Sequence, residues 1–346
     1  MDSATVRRSR VVAVALVVAL AAGTTGLLAA TGFDVARAFG ALVRGSLGSW
    51  YAIGSGTLVR ATPLILTGLA VAVAFRAGVF NIGAEGQFVM GAVAATAVAL
   101  ACGSLPAPMA IPLVLMAGAM AGGAWASIAA VLRIRFYVLE VISTIMLNFV
   151  AGFAVSYLVR GPLQERTHVY PQTETIAVAT QLPRLAATTR LHAGFLVALA
   201  ACAAVWWYVR YTAGGFRVRA VGANPDAARS AGRIDVARVT HGAFVASGAL
   251  AGLAGAIEIS GVTYALYENI SPGYGYTAIA VALLARLDAL GVVGTGIVFG
   301  ALESGATAMQ RDAGVPSVVV SVIEACVVLA LVAAGRARVG IGGSSR

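Results

Sequence analysis

Long stretches without any acidic or basic residue are the feature that most limits what this chain can fold into. The runs Leu105–Leu132, Val141–Val159 and Leu191–Val209 contain no Asp, Glu, Lys or Arg. A helix needs about 20 such residues to cross a bilayer, where the backbone must satisfy its own hydrogen bonds. Charged residues make up 11% of the chain, against about 25% in a soluble domain. The runs do not alternate as barrel strands do, and they therefore predict membrane helices.

Ten mainly apolar runs follow one another along the 346 residues, and only the last contains a charged residue, Glu324. We predict an all-α fold, a polytopic transmembrane helical bundle that forms one domain over residues 1–346. Several runs are shorter than the ~20 residues of a full span, so we expect about ten spans, within a range of about 8–10. The runs are Val11–Ala30, Ala61–Phe75, Gln87–Gly103, Leu105–Leu132, Val141–Val159, Leu191–Val209, Thr240–Ile257, Ile270–Ala285, Ala289–Leu302 and Ala313–Gly335.

The basic residues indicate how the bundle is oriented. All 24 are arginine, and the cytoplasmic side of a membrane protein carries the excess of such residues. The arginines follow this rule when both termini are cytoplasmic. Residues 160–190 then form an external loop, and residues 210–238 form a cytoplasmic loop. Because this side preference explains the net charge of +10, we expect no nucleic acid as a partner.

The reactive residue types give no sign of an enzyme. Lysine is absent, which excludes a P-loop ATP site and Schiff-base catalysis. The three histidines and three cysteines are scattered, without the spacing of a metal site. We therefore predict no metal, no cofactor and no catalytic residue.

Two short polar segments interrupt the apolar runs: "NIGAEGQF", which begins at Asn81, and "NISPGYGY", which begins at Asn269. In the predicted topology, the helices before them run in opposite directions. We interpret the segments as broken helices of an inverted internal repeat, a pattern that indicates a binding site near the membrane midplane. With two polar residues from other runs, the candidates for a pathway or gate are Asn81, Gly83, Glu85, Gly86, Gln87, Asn148, Asn269, Tyr274 and Glu324.

Several of these candidates have a second interpretation. Glu85 lines a gate or caps the helix that follows it, and both roles are compatible. Asn148 shares a helix face with Thr144 and either joins helices or contacts substrate. Tyr274 belongs to a tyrosine cluster that forms an interfacial belt or stacks on a substrate ring. Glu324, in the middle of the last run, is a functional candidate because it is an acid at membrane depth.

The cytoplasmic loop contains the signature of a short helix, "NPDAARSAG". Asn224 suits the N-cap, Pro225 the first helical position and Gly232 the end. A capped helix that projects from a membrane domain suits docking to a partner, whereas a loop that only anchors topology would not need one. The docking candidates are Gly222, Asn224, Pro225, Ala228 and Gly232.

Four segments carry a resemblance to a known family. They are "GVFNIGAEGQFVMGA" (Gly78–Ala92), "EVISTIMLNFVAG" (Glu140–Gly152), "GFRVRAVGANPDAARSAGR" (Gly215–Arg233) and "SPGYGYTAIAVALLAR" (Ser271–Arg286). In this order they resemble permease subunits of ABC importers of the sugar, nucleoside and branched-chain amino acid type. The nucleoside-uptake branch is the most similar.

The resemblance implies a multi-pass permease in a bacterial inner membrane that imports nucleosides by alternating access. Simple sugars and branched-chain amino acids are the alternative substrates. The loop 210–238 would hold the coupling helix for a separate ABC ATPase, which hydrolyses the ATP. The other implied partners are a second homologous permease in a heterodimer, an extracytoplasmic substrate-binding lipoprotein and membrane lipid. A different class, an ion-coupled secondary transporter driven through Glu85 or Glu324, would not need the loop helix.

Overall fold

The computed structural model describes residues 22–26, 28–232 and 234–316, together with the single residues 319, 322 and 325. Within these residues there is no strand, and only two isolated β-bridges occur, Gln172–Tyr267 and Arg184–His192. The predicted all-α class is therefore confirmed. Most of the two terminal runs, Val11–Ala30 and Ala313–Gly335, and the candidate Glu324 lie outside the described residues.

The described part of the chain forms helices α1 to α11 and three shorter helical segments. Two π-helical segments, Ala52–Leu58 and Ile259–Thr263, precede α2 and follow α9, and Val178–Thr180 forms a 3-10 turn. In chain order, α1 to α11 are Val35–Leu47, Val59–Arg76, Ala84–Ala101, Ala107–Phe136, Glu140–Val159, Gly194–Tyr211, Ala213–Ala223, Pro225–Gly232, Val236–Glu258, Tyr274–Leu284 and Ala289–Ala313.

Seven helical segments in the described residues are long and apolar enough to cross a membrane. α10 has 11 residues and is about 16 Å long, roughly half of the ~30 Å hydrocarbon core, so it cannot cross alone. The seven segments are Ala52–Arg76, Ala84–Ala101, Ala107–Phe136, Glu140–Val159, Gly194–Tyr211, Val236–Thr263 and Ala289–Ala313.

Some helix ends differ from the predicted runs. The runs were delimited by charged residues, but the first of these segments extends back beyond Arg60, and α11 continues past Glu303. An arginine or glutamate does not end a helix when its side chain reaches the surface. Conversely, α10 begins four residues after the start of the run Ile270–Ala285, because the polar segment before it is not helical.

The chain divides into two compact units, Met1–Arg60 with Val298–Arg346, and Ala61–Ile297. In the first unit, Asp34 caps α1 by accepting a hydrogen bond from the Arg37 N–H at 3.0 Å. The buried face of α1 belongs to an apolar cluster that also includes Leu28, Ala306 and Met309. The apolar pattern does not predict this helix as a separate element, because Arg37 and Arg44 interrupt it.

The second unit is built on close crossings of α3, α4 and α9. α4 contributes Gly118 and Gly122, and α9 contributes Gly248 and Gly252, each pair four residues apart and on one helix face. A Cβ atom at Gly122 would overlap the Gly248 carbonyl, and one at Gly248 would overlap the Gly122 carbonyl. The two backbones therefore touch, as small residues allow in membrane helix pairs.

Candidate functional site

The first polar segment forms a break between α2 and α3 that is held by a pair of buried amides. Asn81 is fully buried. Its Nδ2 donates to Gln87 Oε1 at 3.0 Å and to Ser247 Oγ at 2.9 Å, and its Oδ1 accepts from Gln87 Nε2 at 3.0 Å. The Gly83 N–H also donates to Asn81 Oδ1, at 2.9 Å. Asn81 and Gln87 thus replace the backbone bonds that the break leaves unmade.

Asn148, near the middle of α5, satisfies the backbone of the same break. Its Oδ1 accepts from the Gly86 N–H at 2.8 Å, and its Nδ2 donates to the Ile82 carbonyl at 3.0 Å. Nδ2 also lies 3.3 Å from the Tyr276 hydroxyl. A Cβ atom at Gly86 would lie 2.9 Å from Asn148 Oδ1. Asn148 therefore joins helices, and the glycine gives its amide room to approach.

Glu85 connects the two polar segments. It lies in the first turn of α3, but its Oε2 accepts the Gly275 N–H, in the first turn of α10, at 2.7 Å. The Ser271 side chain also hydrogen-bonds to it. The interpretation that Glu85 caps its own helix is wrong, because the carboxylate caps the other one. A Cβ atom at Gly275 would overlap the backbone of Glu85, so the N-terminal ends of α3 and α10 are in direct contact.

Tyr274 belongs to the packing of this junction and is only 6% exposed. Its ring is tilted against the ring of Phe88, with the centroids 5.8 Å apart. The ring therefore holds α10 against α3, and it is placed neither in an interfacial belt nor on an open wall. Asn269, at the start of the second segment, has a positive φ of 56°, which asparagine tolerates better than most residues.

A cavity of about 460 Å³ lies beside this junction. Three of the predicted site residues line it: Glu85, Asn148 and Asn269. Asn81 and Gln87 are instead buried behind the break. The remaining wall residues, which the sequence did not single out, are Val89, Phe149, Gly152, Phe153, Val155, Ser156, Arg160, Glu268, Ile270 and Ser271.

An ion pair lies in the wall of the cavity beyond the C-terminal end of α5. Arg160 Nε is 2.7 Å from Glu268 Oε1, and its second terminal nitrogen is 2.8 Å from Oε2, a bidentate arrangement. The Ser156 hydroxyl also donates to Glu268. These hydrogen bonds, the one from Arg160 first, lower the pKa of Glu268 to about 2. The pair therefore stays ionised over the physiological pH range.

The segment between α5 and α6 is anchored to the chain that follows α9. The N–H groups of Thr173, Ile176 and Leu182 donate to the carbonyls of Leu266, Tyr264 and Ser260, at 2.9, 2.9 and 2.8 Å. These bonds cross from one connection to the other. The connection that carries Glu268 is therefore held by backbone pairing on one side and by Arg160 on the other.

The docking candidates lie on α7, α8 and the turn between them. Asn224 Oδ1 accepts the N–H groups of Asp226 and Ala227, each at 3.0 Å, and so caps α8, which ends at Gly232. Ala228 is buried in a small apolar cluster with Val221 and Ile234.

Gly222 is also in a tight contact, since a Cβ atom there would overlap the Arg76 carbonyl. Gly222 and Ala228 therefore hold the segment together, and the surface that remains open is the other face of α8, with Asp226 and Arg229 exposed.

Comparison with known proteins gives concordant matches. The sequence profile of the family described as "Branched-chain amino acid transport system / permease component" matches residues 53–332. A glucose ABC transporter permease of Haloferax volcanii is 41% identical, over 93% of this chain and 87% of its own length. A guanosine ABC transporter permease of Bacillus subtilis is 40% identical, over 91% and 90%. A nucleoside ABC transporter permease of Lactococcus lactis is 32% identical, over 87% and 85%.

Proposed function

The chain belongs to the family of branched-chain amino acid transport system permease components, and from this premise we propose that it carries nucleosides across the bacterial inner membrane. It is a multi-pass membrane protein and a permease of an ABC importer. The observation that carries the substrate proposal is the cavity beside Glu85, where the ends of two broken helices meet an aromatic wall.

The chemistry of this cavity suits a nucleoside. Glu85 and Asn148 provide hydrogen-bonding groups at the junction, and Ser156 provides a hydroxyl further along the wall. Phe149 and Phe153 are 56% and 74% exposed, so their rings are available for stacking on a flat base. A nucleoside has such a base joined to a hydroxylated sugar. The guanosine and nucleoside relatives support this choice, and the glucose relative makes simple sugars the second candidate.

The exposed face of α5 supports a second permease subunit as partner. Large apolar residues recur along it at spacings of three and four, which places them on one helix face. The cavity opens beside two of them, Phe149 and Phe153. We propose that a homologous permease, in a heterodimer, covers this face and completes the wall of the pathway. The exposed residues are Ile142, Met146, Phe149, Phe153 and Tyr157.

The mechanism we propose is alternating access driven from the cytoplasmic side. A separate ABC ATPase would hold the exposed face of α8 and move it when ATP binds. Because Gly222 packs against the carbonyl at the end of α2, this movement would be passed to α2 and the break that follows it. Release of the Glu85–Gly275 contact would then open the junction. A substrate-binding lipoprotein would deliver the nucleoside to the external end, where we place the loop 160–190.

Uptake by intact cells tests the substrate. A strain lacking this gene should lose uptake of labelled guanosine and keep uptake of labelled glucose and leucine, and the intact gene should restore it. Depletion of ATP with the proton gradient preserved should stop uptake. If the strain loses only glucose uptake, the substrate is a simple sugar and not a nucleoside. Uptake that follows only the ion gradient would contradict the ATP-driven mechanism.

A matched pair of variants tests the cavity. Phe149→Leu removes an aromatic ring from the wall, and Met146→Leu changes a residue of the same exposed face that does not line the cavity. We expect Phe149→Leu to raise the KM for guanosine about tenfold, the equivalent of one stacked ring at about 1–1.5 kcal/mol. Met146→Leu should leave the KM unchanged. Equal KM values for the two variants would contradict the proposal that the aromatic wall binds the substrate.

A further inference from the structure

A second cavity, of about 240 Å³, shares no wall residue with the first. It lies where the ends of α2 and α6 meet α7 and the connection before α11. Three arginines line it, Arg76, Arg210 and Arg219, and one acid, Asp288. Trp206 and several aliphatic residues form the rest of its wall. The wall of the cavity therefore combines apolar side chains with an excess of positive charge.

The three guanidinium groups are not equally engaged. Arg76 Nε donates to the Leu287 carbonyl at 2.8 Å, and its terminal nitrogen lies 3.8 Å from Asp288 Oδ1. Arg210 and Arg219 form no hydrogen bond or ion pair with any other residue that the structure describes. Asp288 also accepts the Gly291 N–H at 3.0 Å, at the start of α11. One acid thus faces three arginines, two of which have unused donors.

The aromatic residues around the cavity indicate its depth in the membrane. Trp206, Trp207, Tyr208 and Tyr211 lie in the last turns of α6, and Trp207 is 58% exposed. Tryptophan and tyrosine concentrate at the level of the lipid headgroups. Only 22% of α6 is buried, so most of the helix is available to lipid. The cavity therefore opens at headgroup depth.

We propose that this cavity binds the phosphate group of an anionic membrane lipid. Arginine presents a planar set of donors that fits phosphate oxygens, and Arg210 and Arg219 have such donors free within the described residues. Arg76 is held in place by the Leu287 carbonyl and adds a third charge. The apolar wall around Trp206 would receive the glycerol and the first carbons of the acyl chains. Basic pockets between membrane helices bind anionic headgroups in this way.

Lipid binding can be measured on the purified full-length chain in neutral detergent. Phosphatidylglycerol is titrated in, with phosphatidylcholine as the neutral lipid, and binding is followed by native mass spectrometry and by the rise of Tm. We expect binding of phosphatidylglycerol only. Arg210→Gln and Arg219→Gln should each weaken it about fivefold, the equivalent of one arginine at a membrane surface. Arg217→Gln is the matched control, because Arg217 is also exposed on α7 but does not line the cavity.

A variant that should strengthen lipid binding controls for loss of folding. Asp288→Asn removes the one negative charge of the cavity but keeps an oxygen for the Gly291 N–H, so it should tighten phosphatidylglycerol binding. Equal weakening by Arg217→Gln and Arg219→Gln would reduce the effect to general surface charge and overturn the site. Displacement of the lipid by millimolar inorganic phosphate or glycerol phosphate would overturn the lipid assignment in favour of a soluble phosphate. Unchanged phosphatidylglycerol binding in Asp288→Asn would also contradict the proposed site.

Discussion

The contact between Glu85 and Gly275 predicts that one side chain holds the N-terminal ends of α3 and α10 together. The carboxylate accepts the Gly275 N–H at 2.7 Å, at the N-terminal end of α10. Replacing Glu85 by Gln keeps an oxygen acceptor but removes the charge, and replacing it by Ala removes the acceptor as well. The two variants therefore separate the hydrogen bond from the charge.

The expected losses follow from this geometry. A carboxylate at a partly buried helix N-terminus contributes about 0.3–2 kcal/mol through its charge, so Glu85→Gln should lose about 1 kcal/mol. A buried N–H left without an acceptor costs a further 1–3 kcal/mol or so, which brings Glu85→Ala to about 2–4 kcal/mol. At roughly 2–4 °C per kcal/mol for a unit of this size, the Tm should fall by about 2–4 °C for Glu85→Gln and about 4–16 °C for Glu85→Ala.

The assay is thermal unfolding of the purified chain in detergent, with guanosine uptake measured in parallel. Glu174→Gln is the matched control, because Glu174 also accepts one backbone N–H, that of Arg166 at 3.0 Å, but is exposed in a loop. Its Tm should stay within 1 °C or so of the unchanged chain. If Glu85→Ala unfolds at the same temperature as Glu174→Gln, the carboxylate does not hold the helices together and the reasoning is refuted.

Three further predictions concern closely packed positions. Burial, and then the charge of Arg190, lower the pKa of His192 from 6.5 to about 4, so the unfolded chain binds a proton first as the pH falls. The free energy of unfolding should therefore drop by about 2 kcal/mol between pH 7.5 and pH 5. Thermal unfolding measured across this pH range should show the drop in the unchanged chain but not in His192→Asn. Gly222→Val should abolish ATP-coupled uptake while Gly242→Val, whose Cβ meets nothing within 4 Å, transports normally; normal uptake by both would contradict the packing of Gly222. Gly86→Ala should lower the Tm by several degrees, because the added methyl group would clash with the side-chain amide of Asn148. A Tm equal to that of Gly242→Ala would contradict this clash.

Part of this site could be predicted from the sequence, and the reason lies in how rare its residue types are at membrane depth. Asn81, Glu85 and Gln87 are conspicuous inside apolar runs, and the structure does place them in a break beside a second break. Which of them reaches the cavity could not be predicted, because helical periodicity assigns faces only where a helix is continuous. The structure turns Asn81 and Gln87 inward and Glu85 toward the cavity.

The ion pair of the cavity could not be predicted for a different reason. Arg160 and Glu268 are far apart in the chain, each lies in a connection between helices, and each has the bland interpretation of a solvated loop residue. Their pairing depends on how the two connections meet, which the pattern within either connection does not encode. α1 was missed because its three buried residues are small or polar, Ala38, Ala41 and Ser46, and give no long apolar run.

The junction of α3 and α10 also has an electrical consequence for what can pass it. A helix N-terminus carries about half a positive charge, so two of them beside one carboxylate sum to roughly zero, and Arg160 and Glu268 cancel in the same way further along the wall. The wall that a solute meets in the cavity therefore carries almost no net charge. Uncharged nucleosides and sugars suit such a passage, whereas an amino acid brings two full charges, and the charged groups of the wall already have partners: Arg160 with Glu268, and Glu85 with the Gly275 N–H. Leucine should accordingly fail to compete with guanosine for uptake, and effective competition would show that the charges of the junction do not balance.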